Sequence, residues 1–305
     1  MIETPASEVR VAVATPALLG EGPMWLPADQ SLWYCDIPAH RLHRFRPGDG
    51  EQRVWQFHTD VGSAAPLADG TFLLALRDGV WHFDPATDQR RRLADAPYDR
   101  TTQRFNDGKC DPQGRFWIGS MDEQRRPAHA ALYCFSAGRL EQRQDGITIS
   151  NGLAWSPDGR TMYWADTTAH TVWAFPFDPV SGAMGERRVF ARFPAKPAQG
   201  LDGYRGRPDG AAIDVEGCYW VAMYEGGRVL RIAPDGEVVR EVRIPALCPT
   251  MPCFGGPELK TVYVTSARRD RPADELARLP DSGALFAFDV DVPGLPVAVA
   301  APLGD

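Results

Sequence analysis

Lysine and histidine are scarce in this 305-residue chain. Only three of its 33 basic residues are lysines, it has six histidines, and 40 acidic residues give a formal net charge of −7. A chain without a basic excess cannot readily displace the counterions of a phosphate backbone. The composition therefore argues against nucleic acid as a partner. The scattered histidines form no H-x-H or H-E-x-x-H pattern, which disfavours a histidine-based metal site.

Long apolar runs and paired cysteines are also missing. No run approaches the ~18 residues that span a bilayer, and residues 1–10 lack both the basic start and the apolar segment of a signal peptide. The six cysteines form no C-x-x-C pair, and we expect them to be reduced core residues. These absences predict a cytoplasmic protein that does not contact a membrane. No sequence feature indicates its oligomeric state.

Two classes of enzyme are disfavoured because the sequence lacks their motifs. The chain has no G-x-S-x-G turn, which disfavours a serine hydrolase. It also has no G-x-G-x-x-G motif after a strand, which disfavours a nucleotide site.

Glycine and proline are plentiful, and they punctuate a repeat. With 29 Gly and 27 Pro beside 44% hydrophobic residues, the chain has the composition of a protein with many short strands. An acidic or glycine turn followed by an aromatic-rich strand recurs at residues 29–34, 69–74, 113–118, 158–164, 216–221 and 258–263. A second strand follows each of these, at residues 41–45, 79–83, 131–135, 171–175, 228–232 and 284–288. The longest interval contains a Pro/Gly-rich insertion at residues 193–207.

Six such units predict an all-β fold, a six-bladed β-propeller, as a single domain over residues 1–305. Residues 9–14 are expected to supply a strand that closes the ring against the last blade, and residues 273–279 are the only segment with a short helical pattern. The alternative is a two-sheet β-sandwich, but a sandwich has no reason to repeat six times.

Four polar residues share one phase of this repeat. Glu21, Asn106, Asn151 and Asp209 lie seven or eight residues before a turn, each with a glycine close by. Equivalent positions in different blades lie at equivalent places around the axis, so these side chains are expected to converge at one mouth of the central channel. The alternative is that the Asn-Gly and Asp-Gly pairs are ordinary turn dipeptides.

Such a cluster has a defined chemistry. Two carboxylates and one or two amide oxygens are hard ligands with a formal charge of −2. They suit Ca²⁺, Mg²⁺ or Mn²⁺ better than a soft-ligand zinc site.

The motifs around these residues resemble a known family. They are LGEGPMW at 19–25, RFNDGK at 104–109, SNGLAWS at 150–156, PDGAAID at 208–214, and CFGGP at 253–257 followed by YVTSA at 263–267. Together, in this order and spacing, they are similar to the gluconolactonase/regucalcin (senescence-marker-protein) family over nearly the whole chain. The resemblance implies a six-bladed propeller that holds one divalent metal ion and hydrolyses sugar lactones.

The resemblance also implies roles for individual residues. Glu21, Asn151 and Asp209 would be the metal ligands, and Arg104 and Asn106 would contact the substrate. Arg104 is indicated only by the resemblance and by its position two residues before Asn106; the alternative is a surface salt bridge. The metal is left open among Ca²⁺, Zn²⁺, Mn²⁺, Mg²⁺ and Fe²⁺.

The chain departs from the family pattern in one place. Animal members carry an acidic lid segment after the equivalent of residues 119–121, whereas residues 122–129 here are shorter and partly basic. The substrate contacts that this segment makes in animal members are therefore not expected here. Arg207, two residues before Asp209, could bind a carboxylate on the substrate, or could be a solvated side chain in a glycine-rich loop.

These observations predict metal-assisted hydrolysis of an aldono- or aldarolactone, with a 1,4 or 1,5 ring, to the sugar acid. Asp209 would take a proton from the attacking water as general base. Asp107 and Asp214 are expected to be turn or supporting residues. Two alternatives stay open: a metal-binding propeller with a regulatory role, and another ester or phosphotriester hydrolase on the same fold.

Overall fold

The computed structural model describes residues 1–303, and the predicted domain of residues 1–305 therefore includes two residues, Gly304 and Asp305, outside the described part. Six antiparallel sheets follow one another along the chain, each beginning with its innermost strand. The inner strands contact one another in order around a central axis. The predicted six-bladed propeller is confirmed.

Each of the first four blades is one continuous stretch of chain. Blades 1 and 2 consist of β3 (Gly20–Leu26), β4 (Ser31–Asp36), β5 (Arg41–Arg46), β6 (Glu51–Gln56), β7 (Val61–Pro66), β8 (Phe72–Leu76), β9 (Gly79–Asp84) and β10 (Gln89–Asp95). Blades 3 and 4 consist of β11 (Gln103–Cys110), β12 (Phe116–Asp122), β13 (Ala130–Ser136), β14 (Arg139–Ile147), β15 (Ser150–Trp155), β16 (Thr161–Asp166), β17 (Thr171–Pro176) and β18 (Arg188–Arg192).

The chain start completes the last two blades. Blade 5 consists of β19 (Arg207–Ile213), β20 (Tyr219–Tyr224), β21 (Arg228–Ile232) and β22 (Val238–Arg243), and β1 (Ile2–Thr4) adds a parallel strand to β22. Blade 6 consists of β23 (Pro249–Gly255), β24 (Thr261–Ser266) and β25 (Leu285–Asp289), and β2 (Arg10–Val13) is its outer strand, antiparallel to β25. The predicted closing strand at residues 9–14 is confirmed.

Helix is confined to two short segments of residues 1–303. A 3-10 turn at Ala6–Glu8 joins β1 to β2, and α1 (Ala273–Arg278) lies between β24 and β25, where the sequence predicts it. No helix in this part of the chain is long and apolar enough to cross a membrane.

A repeated aspartate organises the turn after the inner strand. In blade 3, Asp111 accepts hydrogen bonds from the Trp117 indole at 2.9 Å and from the Arg115 guanidinium at 2.6 Å. In blade 5, Asp214 accepts from the Trp220 indole at 2.9 Å and from a guanidinium at 2.7 Å. Each of these buried carboxylates is therefore paired with a cation. Asp214 is a turn residue, as predicted.

The core lies between neighbouring blades. The ring of Trp33 in blade 1, for example, packs against Phe72 of blade 2 with ring centroids 4.5 Å apart. All six cysteines are buried and none is disulfide-bonded, as the sequence predicts.

Four inner strands carry a β-bulge where the predicted site residues lie. In β11, β15 and β19, two residues of the inner strand stand opposite one residue of the next strand, and β3 has the same irregularity after Glu21. A bulge turns side chains out of the regular alternation of a strand. It therefore lets each blade present a polar side chain to the channel.

Candidate active site

The starts of the inner strands line a polar cavity of about 400 Å³ at one end of the channel. The structure brings together all five residues that the sequence selects. The lining includes Glu21, Arg104, Asn106, Asn151 and Asp209. They come from blades 1, 3, 4 and 5, so only the closed ring assembles them. Their roles as ligands or catalysts stay predictions.

A chain of hydrogen bonds links blades 3, 4 and 5 across this cavity. Arg104 donates to the Asn106 Oδ1 at 2.7 Å, and the Asn106 Nδ2 donates to the Asn151 Oδ1 at 2.9 Å. The Asn151 Nδ2 donates to the Thr167 hydroxyl at 2.7 Å, which in turn donates to the carbonyl of Pro208 at 2.8 Å. The network fixes the orientation of both amide groups, because the Asn106 Oδ1 faces Arg104 and the Asn151 Oδ1 faces the Asn106 amide, and both of these donors belong to blade 3.

Arg104 is not a surface residue. It is 4% exposed and also donates to the Phe105 carbonyl at 2.9 Å, so the alternative of a surface salt bridge is wrong. Its nearest carboxylate, Glu123, is 3.9 Å from its Nε. The guanidinium is therefore held mainly by hydrogen bonds within the site.

Glu21 and Asp209 are buried carboxylates without a paired cation. Each is about 5% exposed, and neither forms a salt bridge with any of residues 1–303. Burial raises the pKa of Glu21 well above its usual range, and the charges of Asp209 and Asp107 raise it further. Burial likewise raises the pKa of Asp209, again with a contribution from Asp107. Repulsion between buried carboxylates is unfavourable unless a cation offsets it.

Asp107 lies near Glu21 and Asp209 and connects two blades behind the site. Its Oδ2 accepts the Leu153 backbone N–H at 2.9 Å, while its buried Oδ1 has no hydrogen-bond partner within the described residues. Burial raises its pKa, and the nearby Lys109 partly counters this. Asp107 thus joins blade 3 to blade 4 and adds a third acidic group to the neighbourhood, as a supporting residue.

This donor set fits a divalent cation. Among residues 1–303, no group of three or more His, Cys, Asp and Glu side chains could hold a metal ion, so a site here would rest on two carboxylates and amide oxygen. Glu21 and Asp209 supply two carboxylates that form no salt bridge with residues 1–303, although Arg104 and Arg207 lie near enough to offset part of their charge, and Asn151 supplies an oriented carbonyl oxygen. Hard oxygen donors of this kind suit Ca²⁺, Mg²⁺ or Mn²⁺.

Close packing explains a glycine at the site. Gly152 has a φ of +65°, and a Cβ there would lie 2.2 Å from the Tyr219 hydroxyl. That hydroxyl donates to the Gly152 carbonyl at 2.8 Å. Only glycine both adopts this conformation freely and leaves room for the tyrosine.

Thr167 is a residue of the site that the sequence does not predict. This buried residue lines the cavity and orients Asn151. It follows Asp166, which accepts the backbone N–H groups of Thr148 and Ile149, just as Asp36 accepts those of two residues before β3. In blade 1 the residue after the equivalent aspartate is Ile37. The polar threonine that blade 4 has at this position is the signal that could have identified it.

The rim of the cavity is formed by loops. Glu123 and Arg125, both from the segment 122–129, line the cavity. This segment therefore borders the cavity, although it is shorter and less acidic than the lid segment of animal members. Arg207 also lines it, and its side chain is only 13% exposed, which excludes the solvated alternative. Arg126 and Arg205 instead pair with Asp122 and Glu241.

Fold and site together define a six-bladed propeller with an acidic, polar centre at one mouth of its channel. Residues 19–268 match the family model described as the SMP-30/Gluconolactonase/LRE-like region. A protein named 6-deoxy-6-sulfogluconolactonase from Pseudomonas putida is 42% identical over 287 residues, covering 94% of this chain and 96% of that protein. Regucalcin of Xenopus laevis is 32% identical over 302 residues, covering 97% of each.

A solved structure agrees with this likeness. The crystal structure of a calcium-binding protein, regucalcin, from Agrobacterium tumefaciens strain C58 superposes with a TM-score of 0.92 at 29% identity, covering 99% of this chain and 100% of that one. The protein belongs to the SMP-30/gluconolactonase/LRE-like family, which contains sugar lactone hydrolases. The family resemblance and the expectation of a lactonase-type enzyme are confirmed at that level.

Proposed function

We propose that the protein hydrolyses a sugar lactone, an aldono- or aldarolactone with a 1,4 or 1,5 ring, to the sugar acid in a metal-dependent reaction. Glu21, Asn151 and Asp209 would hold one divalent ion. The observation that carries the proposal is the pair of buried, unpaired carboxylates beside an oriented amide at a polar cavity. The family and the name of the Pseudomonas relative support the lactone class.

A divalent ion bound here would act as a Lewis acid toward the lactone carbonyl. The protein's own side chains would do the remaining work. Asp209 lines the cavity without a paired cation, so its carboxylate is free to accept a proton from a water positioned against the substrate. A carboxylate in this position is the general base of the proposal.

Arg104 and Asn106 would orient the sugar. Both side chains are buried and fixed to each other at 2.7 Å, so they present donors at a defined place on the cavity wall. The many hydroxyl groups of a sugar need such partners when water is displaced. Pre-organised donors of this type favour a bound orientation in which the ring carbonyl faces Glu21 and Asp209.

A second candidate function is metal binding with a regulatory role. It is favoured by one observation, the structural likeness to a protein described as calcium-binding. Lactone turnover distinguishes the two candidates. A regulatory metal site would bind the ion without hydrolysing a lactone, and it requires no substrate-binding donors beside the metal.

A lactone panel tests the proposal. Acid release from 1,4- and 1,5-lactones is followed with a pH indicator, using metal-stripped protein and protein reconstituted with Ca²⁺, Mn²⁺, Mg²⁺ or Zn²⁺. We expect turnover of at least one lactone only after reconstitution, and a loss on the order of 10³-fold in Asp209→Ala. The control Asp158→Ala makes the same change on an exposed turn of blade 4 and should retain activity. Metal-independent turnover, or full activity in Asp209→Ala, would contradict the proposal.

A further inference from the structure

Three basic side chains on one wall of the cavity share a single carboxylate. Glu225 lies 2.8 Å from the Lys196 Nζ, 3.3 Å from the Arg207 guanidinium and 2.9 Å from the Arg271 guanidinium. Arg271 has a second partner, because its Nε donates to Glu275 at 2.9 Å. This wall therefore carries three positive charges against two negative ones, and the excess lies on the side of Lys196 and Arg207.

Arg207 is held in place with donors unused. It is the first residue of β19, its guanidinium lies 5.3 Å from the centre of the Tyr224 ring, and its side chain is only 13% exposed. Its buried Nε has no hydrogen-bond partner among residues 1–303. A guanidinium has five N–H donors in a fixed fork, and because Arg207 lines the cavity, the donors that its ion pair with Glu225 leaves unused are available to a ligand there.

The position of Arg207 relates it to the reaction centre. Arg207 and Asp209 are two residues apart on β19, about 7 Å along the strand, and both side chains line the same cavity. A hexonolactone whose carbonyl faces Asp209 can extend its far end over this distance. The wall of Lys196 and Arg207 would then meet the substituent most remote from the ring carbonyl.

The charge of the whole cavity supports an anionic substrate. Six basic and five acidic side chains line it, and two of the acidic ones are the proposed metal ligands. A divalent ion on those ligands would add two further positive charges. The loaded cavity is therefore positive, although the protein as a whole has a formal charge of −7.

We propose that Lys196 and Arg207 form a subsite for an anionic substituent of the lactone, at the end of the sugar remote from the ring carbonyl. The substituent is a carboxylate, a sulfonate or a phosphate, which all accept paired hydrogen bonds from a guanidinium. The inference rests on the proposed lactonase function and names the substrate class for it. Glu225 acts in this subsite as the residue that positions both cations.

Paired substrates test the subsite. The kcat/KM of the metal-loaded protein is measured on glucono-1,5-lactone and on its counterparts with a 6-sulfonate, a 6-phosphate or a 6-carboxylate. Wild type is expected to prefer at least one anionic lactone, and the three arms show which anion it takes. In Arg207→Met, which keeps an unbranched side chain but removes the guanidinium, this preference should fall about 10- to 100-fold, the loss expected for hydrogen bonds to a charged group.

Matched variants separate recognition from folding. Arg205→Met removes a cation two residues away that pairs with Glu241 at 2.6 Å outside the cavity lining, and should leave the preference unchanged. Arg207→Lys keeps the charge without the fork and should recover part of the preference. Neutral-lactone turnover of each variant reports whether the site has folded.

A binding arm distinguishes failure of the subsite from failure of the lactonase proposal. Calorimetry with the open-chain acids compares 6-deoxy-6-sulfogluconate, 6-phosphogluconate and glucarate with gluconate, and it does not require turnover. Tighter binding of one of these three acids than of gluconate, reduced at least 10-fold in Arg207→Met, supports the subsite even if no lactone is opened. Equal binding of gluconate and the other three acids by wild type, or an equal loss on neutral and anionic lactones in Arg207→Met, would overturn it.

Discussion

Among the single residues of the site, Asn151 has the most completely determined hydrogen bonds. The Thr167 hydroxyl has one proton, which it gives to the Pro208 carbonyl, so it can only accept from the Asn151 Nδ2. The Asn151 Oδ1 must then face the Asn106 amide, as observed. Thr167 therefore fixes which atom of Asn151 is available as a ligand oxygen.

Replacing Thr167 tests this positioning role. Thr167→Val leaves a buried amide donor without a partner, which should lower the free energy of unfolding by about 1–3 kcal/mol. Divalent metal affinity should fall about 10-fold or more, since residues that orient a ligand usually have effects of this size. Denaturant unfolding and calorimetric metal titration measure the two effects. Thr168→Val, on an exposed neighbour, is the control, and equal behaviour of the two variants would contradict the role.

Prediction from sequence at this scale depends on repetition. Glu21, Asn106, Asn151 and Asp209 share a phase of the blade repeat, and the structure indeed gathers them at one cavity. Arg104 is outside that phase and is found only through the family resemblance. Thr167, Lys196 and Glu225 are not predicted, because they lie just after strands or in a loop, outside the phase of the repeat that the other four residues share.

At the scale of the element, the bulged inner strand determines the direction of the site residues. In β15, Gly152 and Leu153 both stand opposite one residue of β16, immediately after Asn151. The bulge needs a residue with positive φ and no side chain at Gly152, because Tyr219 packs against it. Strand geometry and ligand position are therefore coupled.

A pair of glycine substitutions measures that coupling. Gly152 and Gly138 have similar φ values, +65° and +73°, but a Cβ at Gly138 meets nothing within 4 Å. Gly138→Ala should cost only the left-handed conformation, roughly 1–2 kcal/mol. Gly152→Ala adds a steric clash, and should cost at least about 2 kcal/mol more and reduce metal affinity. Equal losses in unfolding free energy would show that the bulge is not sterically fixed.

The elements differ in how well the sequence predicts them. The second strand of each blade is buried at nearly every position and is rich in apolar and aromatic residues, so its pattern is strong. Outer strands such as Glu51–Gln56 and Arg139–Ile147 are largely exposed and polar, and no apolar alternation identifies them. Inner strands are interrupted by bulges and polar site residues, which hides their period of two.

At the scale of the whole molecule, the chain start holds the ring closed. The strand Arg10–Val13 completes blade 6 by pairing with Leu285–Asp289, so the first and last blades are joined through segments far apart in sequence. The sequence predicts this closure as a strand at residues 9–14. The site depends on it, since its residues come from four different blades.

Two substitutions in the closing strand test this dependence. Val13 is 2% exposed and packs in the core with Leu285, whereas Val11 on the same strand is 38% exposed. Val13→Asp buries an unpaired charge and should destabilise the protein by about 3 kcal/mol or more. Val11→Asp should change the free energy of unfolding by less than about 1 kcal/mol. Similar denaturation midpoints for the two variants would contradict a closing role for this strand.

Glu21, Asn151 and Asp209 are proposed to hold one divalent ion, and calorimetric titration of metal-stripped protein tests this site most directly. Ca²⁺, Mg²⁺, Mn²⁺, Zn²⁺ and, without oxygen, Fe²⁺ are titrated in turn into wild type, Asp209→Asn and the exposed control Asp158→Asn. We predict that at least one metal binds wild type and Asp158→Asn with a stoichiometry of one, and that its affinity falls at least about 100-fold in Asp209→Asn. Absence of binding by all five metals, or unchanged affinity in Asp209→Asn, would contradict the proposed site.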